Sequence, residues 1–184
     1  MAEEKLITGT TEDEIWQQLN SDFQRDPNLL EYYAVLDQNG KRVLLDIDID
    51  PGGGFESGYA TTTFKAPLTT TDDFKFAIHE EGFLDELGKF FGMQDVVLGY
   101  EEFDKKLIVK TNNEEKAKIL FSNEEVRKTI QSLKGFTLHT KHTADNDEKE
   151  ASLELTIEDG ITDTNLLRQI YHAFYSILNS LEMK

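Results

Sequence analysis

Three aspartates on one predicted strand form the most suggestive local pattern for chemistry in this chain. Asp46, Asp48 and Asp50 alternate with isoleucines, so their side chains would share one strand face at a spacing of about 6.6–7 Å. Carboxylate oxygens are the ligands that Ca²⁺ and Mg²⁺ prefer. An EF-hand loop would need Gly and Glu where the chain has Pro51 and Ser57. We therefore favour a solvated strand face over a metal site, and we predict no metal ligand and no cofactor.

A histidine beside carboxylates offers a second possible chemistry. His79 precedes two glutamates and could act as a general base. Asp46, Asp48, His79 and Glu81 would form the acidic cluster of a hydrolase or a divalent-metal-dependent enzyme if neighbouring strands brought them together. A histidine at a helix start is more often a surface group, so we assign no catalytic residue and keep this enzyme as the alternative function.

The glycine-rich stretch at 52–58 resembles a phosphate-binding loop only in composition. A P-loop needs Lys and then Ser or Thr after its last glycine, whereas Tyr59 and Ala60 follow here. We predict a flexible connection between strands. The chain also lacks the Gly-x-Ser-x-Gly elbow of serine hydrolases, so no nucleophile motif supports an enzyme.

Composition excludes several classes of function. The chain has 36 acidic and 19 basic residues and a net charge of −17, which disfavours nucleic acid because phosphates need Lys and Arg for neutralisation. The absence of cysteine excludes disulfides and thiolate chemistry. No apolar run approaches the roughly 20 residues that span a bilayer, and no secretory leader is evident. We therefore expect a cytoplasmic protein without membrane insertion. An acidic, chaperone-like protein that holds basic or unfolded clients is a weaker alternative.

An aromatic-rich segment is the best candidate for binding. It is predicted to be a helix, and five of its side chains could contact a ligand or partner: Phe83, Leu87, Phe90, Phe91 and Met93. Phe90 and Phe91 differ by about 100° around a helix, so the set spans more than one stripe. One face should enter the core and the remainder could line a pocket, although burial of the whole set is the simpler alternative.

The leading hypothesis is therefore a non-enzymatic domain. We expect it to bind a protein partner or a small apolar ligand near Phe83–Met93, as a monomer or a homodimer. The homodimer alternative comes from the apolar stripe of the C-terminal helix, which could cover the sheet or form a dimer seam.

The surrounding elements must position these residues. A capping box at Thr11–Glu14 predicts a helix over about 11–23, and the Asn39-Gly40 turn predicts a hairpin of Glu31–Gln38 with Lys41–Asp50. Apolar spacing predicts the other elements: strands at 61–64, 74–78, 96–98, 103–110, 136–142 and 151–157, and helices at 82–93, 112–121, 122–133 and 162–181. Ser122 is expected to cap its helix, and Ala144–Glu150 to form a solvated loop.

The predicted strands occur in hairpin-connected groups rather than alternating singly with helices, which is typical of the α+β class. We predict one domain over residues 1–184. Its mostly antiparallel sheet should have about six to eight strands, covered on one face by helices that include a long C-terminal helix.

Two segments resemble known sequences. EGFLD at 81–85 with GKFFGMQD at 88–95 resembles a family of small uncharacterised proteins from Bacteroidetes-type bacteria. FDKKLIVKTN at 103–112 is similar to a Phe-Asp-x-x-Phe-x-Val-x-Thr-x-Asp pattern of wider bacterial domains of unknown function, some of them membrane-anchored, with Leu107 where that pattern has Phe. The resemblance implies a bacterial α+β domain and transfers no active-site residue.

Overall fold

Nine strands form one sheet across the described part of the chain. The computed structural model describes residues 5–53, 57–69, 72–80, 92–145 and 148–183. The strands are β1 (Lys5–Gly9), β2 (Glu31–Gln38), β3 (Lys41–Asp50), β4 (Tyr59–Leu68), β5 (Phe76–Glu80), β6 (Gln94–Val96), β7 (Leu107–Thr111), β8 (Phe136–Asp145) and β9 (Glu148–Ile157). Their order across the sheet is β1-β2-β3-β4-β9-β8-β5-β7-β6. Within the described residues β1 and β2 pair parallel, and the other pairs are antiparallel.

Five helices accompany the described strands. They are α1 (Glu12–Arg25), α2 (Glu101–Asp104), α3 (Glu114–Leu120), α4 (Glu124–Ser132) and α5 (Thr164–Glu182). The α+β class, the mostly antiparallel sheet and the long C-terminal helix are therefore confirmed. The predicted helix at 82–93 lies outside the described residues, apart from its last two positions.

Alternate residues of the strands form a continuous buried layer, because successive side chains on a strand point to opposite faces. One row of paired residues crosses eight strands: Ala34, Leu45, Phe64, Leu155, Leu138, Ile78, Val109 and Val96. Helix α5 covers this face, with the ring of Phe174 centred 5.9 Å from that of Phe64. Helix α1 joins it through Trp16, whose ring meets Tyr171 edge-on at 5.8 Å. The opposite face of the sheet, which we call the outer face, carries the alternate, more polar residues.

Local signals in the first half of the chain are confirmed. Thr11 accepts from the backbone N–H of Glu14, and Glu14 reaches back to the backbone of Thr11, which completes the capping box. Asn39 and Gly40 both adopt positive φ, 53° and 80°, as the two central residues of a type I′ hairpin turn require. Strands β3 and β4 are neighbours across the glycine-rich connection, as expected.

The sheet has one strand more than the upper number we expected. Strand β1 was not predicted, because it is five residues long and buries one large side chain, Ile7. It pairs parallel with β2, with Ile7 opposite Leu36, and α1 makes the connection between them. A strand this short at a sheet edge carries too few alternating residues to be distinguished from a terminus.

Several predicted boundaries after the first four strands were wrong. The strand expected at 74–78 is β5 at Phe76–Glu80, and the strand expected at 96–98 is β6 at Gln94–Val96. The strand at 103–110 begins only at Leu107, because Phe103 and Asp104 belong to α2. The Asp104 carboxylate accepts from the backbone N–H groups of Leu98 and Gly99 at 2.9 and 2.8 Å, so it fixes the preceding turn. The loop expected at 144–150 is also shorter, since β8 continues to position 145 and β9 begins at position 148.

The predicted cap of α4 was also wrong by one residue. Asn123 caps this helix, and its side chain accepts from the N–H groups of Glu125 and Val126. The Ser122 hydroxyl instead donates to the carbonyl of Ile119. Asn and Ser are comparably good N-caps, so their order in the sequence does not distinguish them.

Candidate functional site

The aromatic segment proposed for binding falls mostly outside the described residues. This holds for Phe83, Leu87, Phe90 and Phe91. Met93 is described: it is half-buried and directly precedes β6, at one edge of the sheet. The assignment of this segment as a binding surface remains a prediction.

The structure does not bring together the acidic and histidine groups of the alternative enzyme. Asp46 on β3 and His79 on β5 lie on the outer face in the same row of paired residues, but β4, β9 and β8 separate them. Four strand spacings of about 4.8 Å place them about 19 Å apart along the sheet. A reacting atom must lie within direct or one-water reach of each catalytic group, so these two residues cannot share a substrate atom. Glu81 lies outside the described residues.

The aspartate row on β3 forms the acidic end of the outer face. Burial is the main cause that raises the pKa of Asp46, and the charges of Asp48 and Glu31 add to it. Asp48 accepts a hydrogen bond of 2.8 Å from the Tyr59 hydroxyl. Within the ranges that the structure describes, no group of three or more His, Cys, Asp or Glu side chains is placed to hold a metal ion. The row is therefore a mutually repelling strand face.

His79 occupies a structural position on β5. It is 3% exposed, and its Nδ1 lies 2.9 Å from the backbone oxygen of Glu80. Its neighbours across the two ladders are Thr137 and Ile108. Such enclosure keeps a substrate away from the imidazole ring.

An open groove that a ligand could enter lies at the other end of the outer face. Its volume is about 570 Å³, within the roughly 300–1,000 Å³ typical of ligand sites. The β3–β4 ladder ends at Leu44 and Lys65, whereas β4 stays paired with β9 as far as Leu68. Pro67 has no N–H to extend a ladder. The β2–β3 hairpin can therefore diverge from β4 at this point, and the groove lies where they part.

The groove combines an apolar floor with a charged side. The apolar and aromatic groups are Tyr33, Val35, Leu44, Pro67, Leu68 and Ala151. The charged groups are Arg42, Lys65, Lys141, Glu150 and Glu154. Nine of these eleven residues occupy outer-face positions on their strands, so the pleat of the sheet aims their side chains into one space. Leu68 and Ala151 occupy core-face positions and line the groove at the last pair of the β4–β9 ladder.

Glu154 is the centre of the charged side. Lys65 Nζ lies 2.9 Å from its Oε1, and the Ser152 hydroxyl donates to the same oxygen at 2.9 Å. Lys141 Nζ lies 3.8 Å from Oε2, and His139 Nε2 lies 3.9 Å from it. One carboxylate is thus shared by two ammonium groups.

This arrangement makes the contribution of Glu154 to stability dependent on pH. Burial alone would raise the pKa of Glu154, but hydrogen bonds from Lys65 and Ser152 and the charges of Lys65 and Lys141 outweigh it and hold the pKa below 4.5. A carboxyl with a lowered folded-state pKa stabilises the fold above its unfolded pKa, and this contribution is lost as the pH falls through the folded-state pKa. We therefore expect Glu154→Gln to lower the free energy of unfolding by about 1 kcal/mol near pH 7. This difference should shrink as the pH falls below 4.5.

Urea unfolding of both proteins from pH 7 to pH 3 measures this difference in the free energy of unfolding. In a double-mutant cycle, Lys65→Met should remove most of the effect of Glu154→Gln. A difference that is the same at pH 7 and pH 3 would contradict the assignment of this ion pair.

A second, smaller recess lies near the end of α5. It measures about 190 Å³ and is lined mainly by apolar residues of β4, α3 and the chain end, among them Leu68, Ile119 and Met183. Ile119 and Met183 are 72% and 73% exposed. Its volume is below the roughly 300–1,000 Å³ typical of ligand sites, so it provides a control position for binding experiments.

Sequence reasoning missed the groove. Lys65 and Lys141 stand at strand positions where an acidic chain would more often place Asp or Glu, and Pro67 indicates an interrupted ladder. These signals are individually weak. The pairing of β4 with β9 brings them together, and no short-range pattern in the sequence predicts that pairing.

Comparison with known proteins adds no assignment. No family model, curated protein or solved structure matches this chain. The resemblance to a bacterial family, drawn from 81–95 and 103–112, therefore stays a prediction. No helix of the described ranges is long and apolar enough to cross a membrane.

Proposed function

We propose that this protein is a non-enzymatic domain that binds a small, largely apolar ligand in the groove on the outer face. The observation that carries this proposal is the groove itself, with its volume of about 570 Å³ and a floor built from Tyr33, Val35, Leu44 and Pro67. Sites for small molecules are concave and mostly apolar, with a few polar groups that fix orientation. The groove combines such an apolar part with a polar group in which Lys65, Lys141 and Ser152 surround Glu154.

The positions of the candidate catalytic groups also support binding over catalysis. Asp46 and His79 are four strands apart, and His79 is enclosed. The polar groups at the groove form ion pairs that lower the pKa of Glu154, whereas a general base works best with a pKa near the working pH. The groove is therefore better suited to hold a ligand than to transfer its protons.

A neutral fluorescent probe tests this function. N-phenyl-1-naphthylamine is apolar and uncharged, and its emission rises when it leaves water. We expect one saturable site on the folded protein. Leu44→Gln removes part of the apolar floor at a half-buried position and should weaken the affinity about fivefold or more, since full burial of such a side chain is worth about 1.5–3 kcal/mol.

Ile119→Gln is the matched control, because it also replaces an aliphatic side chain by an amide, but at the smaller recess. It should leave the probe affinity unchanged. Circular dichroism and unfolding midpoints establish that both variants are folded. Absence of saturable binding would reject the proposed function, and so would loss of binding in Ile119→Gln with retention in Leu44→Gln.

The aromatic segment Phe83–Met93 is retained as a predicted contact surface for a protein partner or ligand. Met93 precedes the sheet edge at β6, whereas the groove lies among β2, β3, β4, β9 and β8. Met93 and the groove therefore lie in different parts of the molecule. Occupancy of the groove therefore neither requires nor excludes a role for that segment.

A further inference from the structure

We propose that the ligand of this groove is an organic anion, with an apolar body on the floor and one anionic group held by Lys141 and Lys65. The inference rests on the proposed function and specifies its ligand class. A neutral ligand would leave the cationic side of the groove unused.

The first observation is a local reversal of charge. The whole chain has 36 acidic and 19 basic residues, whereas the groove is lined by three basic and two acidic side chains. The potential in a recess with low-dielectric walls depends strongly on the charges nearest to it. An anion that the rest of the surface repels would therefore find a favourable position here.

The second observation is the uneven pairing of the two lysines. Lys65 has Glu154 as a partner at hydrogen-bond distance. Lys141 lies 3.8 Å from the same carboxylate, beyond the usual length of a hydrogen bond, and it donates no hydrogen bond to another described residue. Its ammonium group carries three donors, so the carboxylate, sulfonate or phosphate of a ligand could accept from it.

The third observation is the position of these cations relative to the apolar floor. Lys65 faces Glu154 across the β4–β9 ladder, and Lys141 faces Ser152 across the β8–β9 ladder. The two ammonium groups therefore flank β9 from both sides. On the other side, Lys65 is paired with Leu44, so the head and the body of one small molecule can bind side by side.

The other charged groups near this position do not cancel the attraction. Glu154 neutralises one of the two lysines, and Arg42 is paired through its Nε with Asp37 at 3.2 Å. Glu150 is exposed, as Lys141 is, and among the described residues no ion pair joins Glu150 to either lysine. His139 adds no negative charge in either protonation state. Lys65, Lys141 and Glu154 together therefore carry one net positive charge, which is available to a single anionic group.

A pair of probes that differ by one sulfonate group tests this inference. 8-Anilino-1-naphthalenesulfonate carries the sulfonate, and N-phenyl-1-naphthylamine has the same rings without it. We expect the sulfonate to bind about tenfold more tightly than the neutral probe at low salt, which corresponds to about 1.4 kcal/mol. Lys141→Gln should reduce that ratio to about twofold, and added KCl should reduce it in the wild type because salt screens exposed charges.

Lys128→Gln is the matched control, since it removes one positive charge from the exposed side of α4. It should leave the ratio unchanged. Inorganic phosphate and acetate should not displace the neutral probe at millimolar concentration, which separates an amphiphilic ligand from a free anion.

Equal affinity for the two probes, or a ratio that Lys141→Gln does not alter, would overturn this inference. The proposed function would survive that result, because it requires only the neutral probe. Displacement of that probe by phosphate or acetate alone would also overturn the inference, since the apolar body would then be unnecessary.

Discussion

Phe174→Ala should lower the free energy of unfolding by about 3–5 kcal/mol. Phe174 is fully buried on α5, and its ring meets that of Phe64 on the interior strand β4. Truncation removes the apolar surface that the ring buries and leaves a cavity between the helix and the sheet, and both effects destabilise the fold. Urea or guanidinium unfolding measures the loss, and Phe174→Leu gives a milder variant if the alanine variant does not fold.

An exposed apolar residue provides the comparison. Ile119 is 72% exposed, so Ile119→Ala should change the free energy of unfolding by no more than about 0.5 kcal/mol. A loss below about 1 kcal/mol in Phe174→Ala would show that α5 does not cover the sheet as described.

Thr62→Val should lower the free energy of unfolding by about 1–3 kcal/mol, although threonine and valine side chains have nearly the same shape. Thr62 lies on the core face of β4 and is fully buried. Its hydroxyl donates to the carbonyl of Asp159 at 2.7 Å and accepts from the N–H of Ile161 at 2.9 Å. Valine leaves this buried N–H without its acceptor, and the connection between β9 and α5 loses its link to the sheet.

The next residue along the strand supplies a control with the same substitution. Thr63 lies on the outer face and is half-buried, so Thr63→Val should stay within about 0.5 kcal/mol of wild type. Thr62→Ser keeps the hydroxyl and should recover most of the loss. Chemical denaturation of the three variants measures their free energies of unfolding. Equal losses of that free energy in Thr62→Val and Thr63→Val would refute the role of the buried hydroxyl.

The fold class could be predicted because local signals agreed with each other. The Asn39-Gly40 turn, the capping box at Thr11 and the apolar stripe of α5 each depend on residues close together in the chain. The pairing of β4 with β9, or of β5 with β8, depends on residues far apart, and alternation within a strand gives no information about its partner. The boundary errors at Phe103 and Asn123 arose where several residues had similar local preferences.

The candidate site was harder to predict for the same reason. Asp46 and His79 attract attention as residue types, but strand order places them apart. Lys65, Lys141 and Glu154 come from three segments, and they become a group only because β4, β9 and β8 are neighbours. A single sequence indicates which residues could do chemistry, whereas the topology decides which of them meet.

The junction of β4 with β9 has a consequence for the way this protein is made. Leu68 pairs with Ala151, 83 positions later. At a synthesis rate of about 5–20 residues per second, β4 leaves the ribosome roughly 4–17 s before its partner. During this interval β1 to β4 can already pair in the nascent chain, with one edge of β4 bare. A bare strand edge is a template for pairing with another chain, so delay in translation between these two strands favours aggregation on the ribosome.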